Sequence, residues 1–192
     1  MALIKTNARS ATALDATILT GNLPAISGAS LTGISAGITE YDQWRLTTSF
    51  TGNAYPISSN LERNDSSGFE KIGTGMSNSS GTFTFPSTGK WEIHFNLSSE
   101  ANTQNADNFT IGILTTINNS DYTERSVAQI GQTSEGASGF RNGSVINFFD
   151  CTDTSTHKVK FFVNDISGSQ VSVSGNTDKN LTYMTFKKIG NT

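Results

Sequence analysis

The sequence predicts an all-β protein: an antiparallel β-sandwich with an extended N-terminal arm. Trp91, Ile93, Phe95 and Leu97 recur at a period of two between polar residues, the pattern of a strand with one buried face. About eight to ten such segments follow one another with turn residues between them, which is typical of a sandwich or barrel. Ser, Thr, Asn and Gly dominate the polar positions, and these residues favour turns over helices.

Composition limits the classes of function. The 192 residues include 34% hydrophobic and 15% charged residues, with a net charge of −3. No basic run exceeds Lys187-Lys188, so we expect no nucleic-acid partner. Cys151 is the single cysteine, which excludes an intrachain disulfide. No apolar run approaches the roughly 20 residues that cross a bilayer, and no signal-peptide core is evident, so we expect no membrane insertion.

Residues 1–40 differ from the rest, because no aromatic residue precedes Tyr41. Ordering each residue costs about 1–2 kcal/mol, and this segment has too little apolar area to offset that cost alone. We therefore expect residues 1–40 to form an anchoring arm ordered against a partner, and residues 41–192 to form the β-domain. The expected anchoring side chains are Leu14, Ile18, Leu19, Leu23, Ile26, Leu31 and Ile34.

The β-domain is predicted to centre on a hairpin over residues 83–100, turned at Pro86–Gly89. A loop is predicted at 73–81, and a tight turn at Asn142-Gly143. The other predicted strands are 44–50, 69–72, 109–117, 122–130, 144–151, 157–164 and 181–188, and 61–63 and 170–174 are candidates for short additional strands. The predicted core residues are Trp91, Ile93, Phe95, Leu97, Ile111 and Ile113.

Several predicted strands are apolar on both faces. Phe148 and Phe149 are adjacent, as are Phe161 and Phe162, so each pair points to opposite sides of its strand. An antiparallel sheet in a monomer normally leaves one face in water, and no helix is predicted to cover it. We therefore expect a homo-oligomer. The candidate interface residues are Phe148, Phe161, Tyr183 and Phe186.

Two sequence features resemble the C1q/TNF-like jelly-roll family over residues 41–190. GTFTFPSTGKWEIHFNLS looks like that family's G-x-F-x-x-P-x-x-G-x-Y/W-x-hydrophobic pattern, and an aromatic final strand, LTYMTFKKIG, closes the chain. The chain departs from the family in lacking a collagen stalk and a convincing calcium cluster. The resemblance implies a jelly roll, and a homotrimer in which the candidate interface residues pack around a three-fold axis.

The arm has a separate resemblance. LTGNLPAISGASLTGI is similar to the LPAIDGSALTGI segments near the N-termini of tailed-phage fibre and virion surface proteins. Together the two resemblances imply a trimeric virion protein at the particle surface, with the arm bound to a capsid or tail protein and the jelly roll facing outward.

Residues capable of catalysis or metal binding are few and scattered. His94 and His157 are the only histidines and lack metal-ligand spacing, so we expect surface or interface histidines. Cys151 is expected to be an inert thiol. We therefore expect no catalytic, metal or cofactor-binding residues, and no enzyme.

Acidic residues near the predicted turns leave an alternative open. Asp150 and Asp153 form an oxygen-rich cation site with Asp121 or Asp178, or all four are ordinary turn acids, which their turn positions favour.

The leading functional hypothesis is a non-enzymatic virion structural protein of a tailed phage, a homotrimeric capsid decoration or tail appendage. The alternative is a receptor- or glycan-binding tip of a tail fibre, with loops 101–107, 131–139 and 165–180 contacting the host surface. Their Asn, Gln, Ser and Gly content suits adaptable hydrogen bonding.

Overall fold

A computed structural model describes residues 37–101, 108–131, 139–167 and 171–192. Within these ranges the chain forms twelve β-strands and no helix, which confirms the all-β class. The seven predicted anchoring residues of the arm lie outside these ranges. The strands are β1 (Tyr41–Leu46), β2 (Phe50–Thr51), β3 (Leu61–Arg63), β4 (Ser77–Ser79), β5 (Thr82–Thr84), β6 (Gly89–Ala101), β7 (Phe109–Thr116), β8 (Thr123–Ile130), β9 (Gly139–Cys151), β10 (Lys158–Asn164), β11 (Val171–Val173) and β12 (Tyr183–Gly190).

The strands form two antiparallel sheets that face each other as a sandwich. The first sheet has the order β9-β6-β12-β1-β3, and β11 pairs with the end of β6 beyond β12 and carries β2. The second sheet has the order β4-β5-β10-β7-β8. β6 and β9 are paired along their whole 13-residue length. This long pair forms one side of the first sheet.

The core lies between the sheets and is rich in phenylalanine. Phe83 of the second sheet packs against Phe186 of the first, with ring centroids 5.1 Å apart, and Phe161 packs against Phe95 at 5.2 Å. Fully burying one such side chain stabilises the fold by about 1.5–3 kcal/mol. The residues predicted as core are all buried: Trp91, Ile93, Phe95, Leu97, Ile111 and Ile113.

The predicted hairpin over residues 83–100 is wrong in its pairing, although both halves are strands. β5 pairs with β4 and β10 in the second sheet, whereas β6 pairs with β9, β11 and β12 in the first. The turn at Pro86–Gly89 therefore carries the chain from one sheet to the other. The period-two pattern identifies a strand and its buried face, but it carries no information about the strand's partner.

The predicted turn at Asn142-Gly143 is also wrong, because both residues lie within β9. Asn142 pairs with Ser98, and Gly143 pairs with Leu97. A Cβ atom at Gly143 would overlap the Ile130 side chain. This glycine therefore serves the close approach of β8 to β9, whereas its dipeptide is typical of tight turns.

The chain between β3 and β5 differs from the prediction as well. Residues 69–72 form no strand, and only an isolated bridge joins Ile72 to Tyr41. The predicted loop at 73–81 contains the short strand β4. These segments are too short and polar for their periodicity to identify a strand.

A buried arginine holds β1 against the edge of the first sheet. Arg45 is 1% exposed, and its Nε lies 2.8 Å from Glu62 Oε1 on β3. Its guanidinium also donates to the side chains of Asn64, Asp65 and Ser66 in the following loop. These acceptors satisfy the buried cation, which would otherwise be costly to desolvate.

Candidate functional site

The outer face of strands β9, β6 and β12 is the candidate functional surface. Along β6 the odd-numbered residues are buried in the sandwich, so the even-numbered residues point outward. The strand registers arrange these outward residues in rows. His94 lies opposite Ile146 of β9 and Thr185 of β12, and in the next row Asn96 lies opposite Ser144 and Tyr183.

The outer face carries an apolar stripe along β9, consisting of Phe140, Ile146 and Phe148. Their side chains are 77%, 50% and 67% exposed, respectively. Ile146 and Phe148 occupy adjacent rows, so they form one continuous apolar surface, while Phe140 lies at the far end of the strand. Adjacent exposed apolar side chains rimmed by polar residues indicate an interaction site.

β9 is also an edge strand, since β6 is its only backbone partner among the described residues. A long edge strand offers unpaired N–H and C=O groups to other chains. Ser126 of β8 donates a 2.7 Å hydrogen bond to the Ile146 carbonyl and so satisfies one of them.

Charges on the outer face nearly cancel. Lys187 Nζ lies 2.6 Å from Glu92 Oε1, and Lys90 lies opposite Asp150 in the strand register. With Glu100, this gives two positive against three negative side chains at the described outward positions. Such a surface neither attracts nor repels a copy of itself strongly.

Two polar nitrogens at the centre of this face are shielded from water. His94 Nε2 and Asn96 Nδ2 each have negligible accessible area, and neither has a hydrogen-bond partner among the described residues. Burial lowers the pKa of His94 below its ordinary value, and the nearby Glu92 carboxylate opposes that shift. Neutral imidazole is therefore the favoured form at this position.

The four predicted interface residues separate into two groups. Phe148 is exposed and Tyr183 is half-buried, and both lie on the outer face. The prediction is wrong for Phe161 and Phe186, which are 1% and 0% exposed within one chain and contact each other in the core at 5.8 Å. A ring enclosed between the two sheets of one subunit has no surface left for a neighbouring copy.

The apolar character of β10 on both faces is satisfied within the chain. Phe162 points away from the core but is 1% exposed, because Tyr55 covers it with ring centroids 4.7 Å apart. The ring also lies over Gly112, where a Cβ atom would overlap it. β10 therefore gives no support for an oligomer. Of the two strands that carry adjacent phenylalanines, only β9 leaves one of them exposed, so only β9 supports the expected oligomer.

His157 and Cys151 lie at one end of the sandwich and not on this face. His157 is 8% exposed, lies 3.1 Å from both Thr152 Oγ1 and Thr156 Oγ1, and packs against Phe149. Burial raises the pKa of the Cys151 thiol to about 11, so the thiol is protonated at neutral pH.

The acidic residues make local turn contacts. Asp153 accepts from the backbone N–H and hydroxyl of Ser155 at 2.8 and 2.6 Å, and these bonds lower the pKa of its carboxyl. Asp121 accepts from the Asn118 amide at 2.6 Å. Across the described ranges, no group of three or more His, Cys, Asp or Glu residues is placed to hold a metal ion.

No protein-family model matches this chain, and no curated protein matches it significantly. Within the described part of the chain, no helix is long and apolar enough to span a membrane.

Several features of the outer face escaped sequence reasoning. The sequence pattern does not single out Phe140 and Ile146, although both alternate with polar residues along β9. For His94, the sequence predicts only a surface or interface histidine. Its position beside the apolar stripe depends on the pairing of β6 with β9, which brings together residues about 50 positions apart.

Proposed function

We propose that this chain is a non-enzymatic structural protein of a tailed-phage particle, a homotrimeric capsid decoration or tail appendage. In this role the jelly roll of residues 41–192 faces outward at the virion surface, and the arm of residues 1–40 binds a capsid or tail protein. The observation that carries the proposal is the outer face of β9, where Phe148 and Ile146 are exposed in the single chain.

The nested order of strand pairing supports the jelly roll. β1 pairs with β12, β5 with β10, β6 with β9, and β7 with β8. Among these eight strands, the first pairs with the last, the second pairs with the next to last, and so on inward. Rolling up one long hairpin produces this order. Eight strands in two sheets with this connectivity are typical of jelly rolls.

The trimer is supported by the unpartnered apolar surface. Phe148 and Ile146 have most or half of their side-chain area in water in a single chain. A neighbouring copy would remove that area from water, and the nearly balanced charges of the face permit the approach. A three-fold ring closes the contact so that each copy is both covered and covering.

The resemblance of LTGNLPAISGASLTGI to tailed-phage virion segments supports particle anchoring through the arm. Deleting residues 1–35 tests this role. The shortened protein should form the same oligomer as the full chain, because all described strands are retained, but should fail to join particles. Normal incorporation of the shortened protein into virions would refute anchoring by the arm.

The oligomeric state is tested by measuring the mass of the full chain in solution. A mass near three times the subunit's 20.5 kDa at micromolar concentration supports the proposal. A well-folded monomer at that concentration contradicts it. Immuno-gold labelling of intact virions then distinguishes a capsid decoration from a tail appendage.

A receptor- or glycan-binding tip is the second candidate function, favoured by the convergence of three connections at one end of the sandwich. Ala101 pairs with both Gly139 and Val171, and Phe109 pairs with Ile130. The β6–β7, β8–β9 and β10–β11 connections therefore all start or finish at this end. Binding of the purified protein to a glycan array or to host cells, without incorporation into virions as a decoration, would favour this candidate.

A further inference from the structure

A shallow groove lies on the outer face of the first sheet, in the two rows that follow Ile146 toward the start of β9. Its volume is about 570 Å³, within the range of pockets that hold small ligands. We call it the outer groove. The side chains that shape it are those of Asn142 and Ser144 on one wall, Asn180, Leu181 and Tyr183 on the other, and Ser98 between them.

The outer groove exists because β6 changes its partner there. β12 pairs with β6 as far as Asn96, and β11 pairs with it from Ser99 onward, so within the described chain no strand lies beside Ser98 on that side. The Ser98 carbonyl is nevertheless satisfied, because the Thr182 hydroxyl donates to it at 3.1 Å and the Ser174 N–H donates at 2.8 Å. The gap in the sheet is therefore a built feature with its backbone groups paired.

One wall of the groove is held in place by side-chain hydrogen bonds. Asn180 Nδ2 donates to Gln43 Oε1 at 2.8 Å, and Asn64 Nδ2 donates to the same oxygen at 2.7 Å. These bonds fix the Asn180 side chain through its nitrogen, which leaves its oxygen available to accept from a ligand. A group that is already ordered costs less to immobilise when a ligand binds.

The groove offers hydrogen-bonding groups without charge. The hydroxyls of Ser98, Ser144 and Tyr183 make no hydrogen bond within the described part of the chain, and neither does the Asn142 amide. None of the nine lining residues is charged. Arg45 lies opposite Tyr183 in the strand register, but it is buried and its charge is paired with Glu62. The groove therefore suits a ligand that is itself uncharged and rich in donors and acceptors.

We propose that the outer groove binds an uncharged saccharide. Each sugar hydroxyl donates and accepts, as do the hydroxyls and amides that line the groove. The apolar face of a sugar ring can pack on the Tyr183 ring and on Leu181, which is 37% exposed. A peptide is less well suited, because peptides are recognised along a sheet edge or in a deeper apolar groove, whereas this groove is open and lies on the face of a sheet.

This binding activity goes beyond the proposed structural role and does not depend on the trimer. The proposed contact uses Phe148 and Ile146, and the groove occupies the next two rows of the face. The two features therefore use different side chains. The groove is also distinct from the connections at the end of the sandwich, on which the second candidate function rests.

The first test measures binding of the full chain to saccharides by saturation-transfer difference NMR. The uncharged probes are maltotriose, cellotriose and triacetylchitotriose, together with the neutral glycans of a glycan array. At least one should bind saturably with a dissociation constant on the order of 1 mM or below, as expected for an open site with a few hydrogen bonds. Trigalacturonic acid, an anionic comparison, should bind no more tightly, because the groove holds no cation.

Two variants locate the binding. Ser144→Trp fills the groove from an exposed position and should weaken binding at least about tenfold, whereas Gln129→Trp, at an exposed position of β8, should leave it unchanged. Tyr183→Phe removes only a hydroxyl and should weaken binding about two- to tenfold. Its control is Tyr55→Phe, which removes the hydroxyl that bonds Glu124 on the other sheet. Circular dichroism verifies that each variant is folded.

The outcomes separate this inference from the proposed function. Binding that survives both Ser144→Trp and Tyr183→Phe overturns the groove and favours the connections at the end of the sandwich. Tighter binding of trigalacturonic acid, or a response to an uncharged Gly-Ser peptide alone, overturns the ligand class. A trimer that binds none of the neutral saccharides overturns this inference and leaves the trimer standing. A monomer that binds through the groove supports this inference and overturns the trimer.

Discussion

Phe148 and Phe149 are adjacent, yet the structure gives them opposite roles, which permits a sharp test of the proposed interface. Phe148 points outward and is 67% exposed. Phe149 points inward, where it stacks on Phe85 with ring centroids 5.6 Å apart. Replacing each in turn by serine removes the same phenyl ring, once from the outer face and once from the inner face of one strand. Phe148→Ser should weaken assembly, and Phe149→Ser should weaken the fold.

The magnitude for Phe148 follows from its exposed area. An aromatic side chain buries about 150–250 Å², and two-thirds of that is roughly 100–170 Å². At about 25 cal/mol per Å², covering this area contributes about 2.5–4 kcal/mol per copy. Each 1.4 kcal/mol is tenfold, so losing it raises the dissociation constant by roughly two to three orders of magnitude. This is an upper value, because association also orders the groups that it covers.

The assay is sedimentation equilibrium for assembly, combined with urea unfolding of the dissociated subunit for stability. Phe148→Ser should shift the dissociation constant and leave the subunit's free energy of unfolding within about 0.5 kcal/mol of the wild type. Phe149→Ser should lower that free energy by about 2–4 kcal/mol, as expected for truncating a largely packed ring. An unchanged dissociation constant for Phe148→Ser would refute the assignment of the β9 stripe to the subunit contact.

Two further predictions concern the fold and the single thiol. Arg45→Ala should lower the free energy of unfolding by about 2–3 kcal/mol in urea denaturation, because it removes a buried cation together with its bonds to Glu62 and the loop after β3. Lys71→Ala, at a partly exposed lysine whose Nζ donates to the nearby Gly73 carbonyl, is the control and should change it by less than about 0.5 kcal/mol. Cys151, with its pKa raised to about 11, should react with a thiolate-selective reagent at pH 8 only after the protein unfolds. The raised pKa also means that the folded state keeps its proton longer, so stability should fall as the pH rises from about 9 toward 11. Rapid labelling of the folded protein would contradict the burial of this thiol.

Local pattern determined much of the architecture. The alternation of Trp91, Ile93, Phe95 and Leu97 with polar residues identified β6 and its buried face, and all four side chains are in the core. Similar patterns identified β7, β8, β10 and β12 to within two or three residues of their observed ends. Such patterns are reliable because side chains of a strand alternate between faces whatever the strand pairs with.

Partner choice could not be read in the same way. β5 and β6 are separated by a short turn yet belong to different sheets, and Asn142-Gly143 lies inside a strand despite its preference for turns. These outcomes depend on contacts between residues far apart in the chain, such as Ile130 against Gly143. Tertiary packing can override a local preference, since turn and strand propensities amount to only about 1 kcal/mol.

The sequence by itself determined that the chain is built of strands, which side chains of its central strand turn inward, and that aromatic residues occur on both sides of several strands. Only the tertiary structure decided which of those aromatic faces are covered. Phe162 is covered by Tyr55, Phe186 by the opposite sheet, and Phe148 by nothing within the described chain. The reason is physical: a side chain's direction is set by its own backbone, whereas its burial depends on what the rest of the chain brings against it.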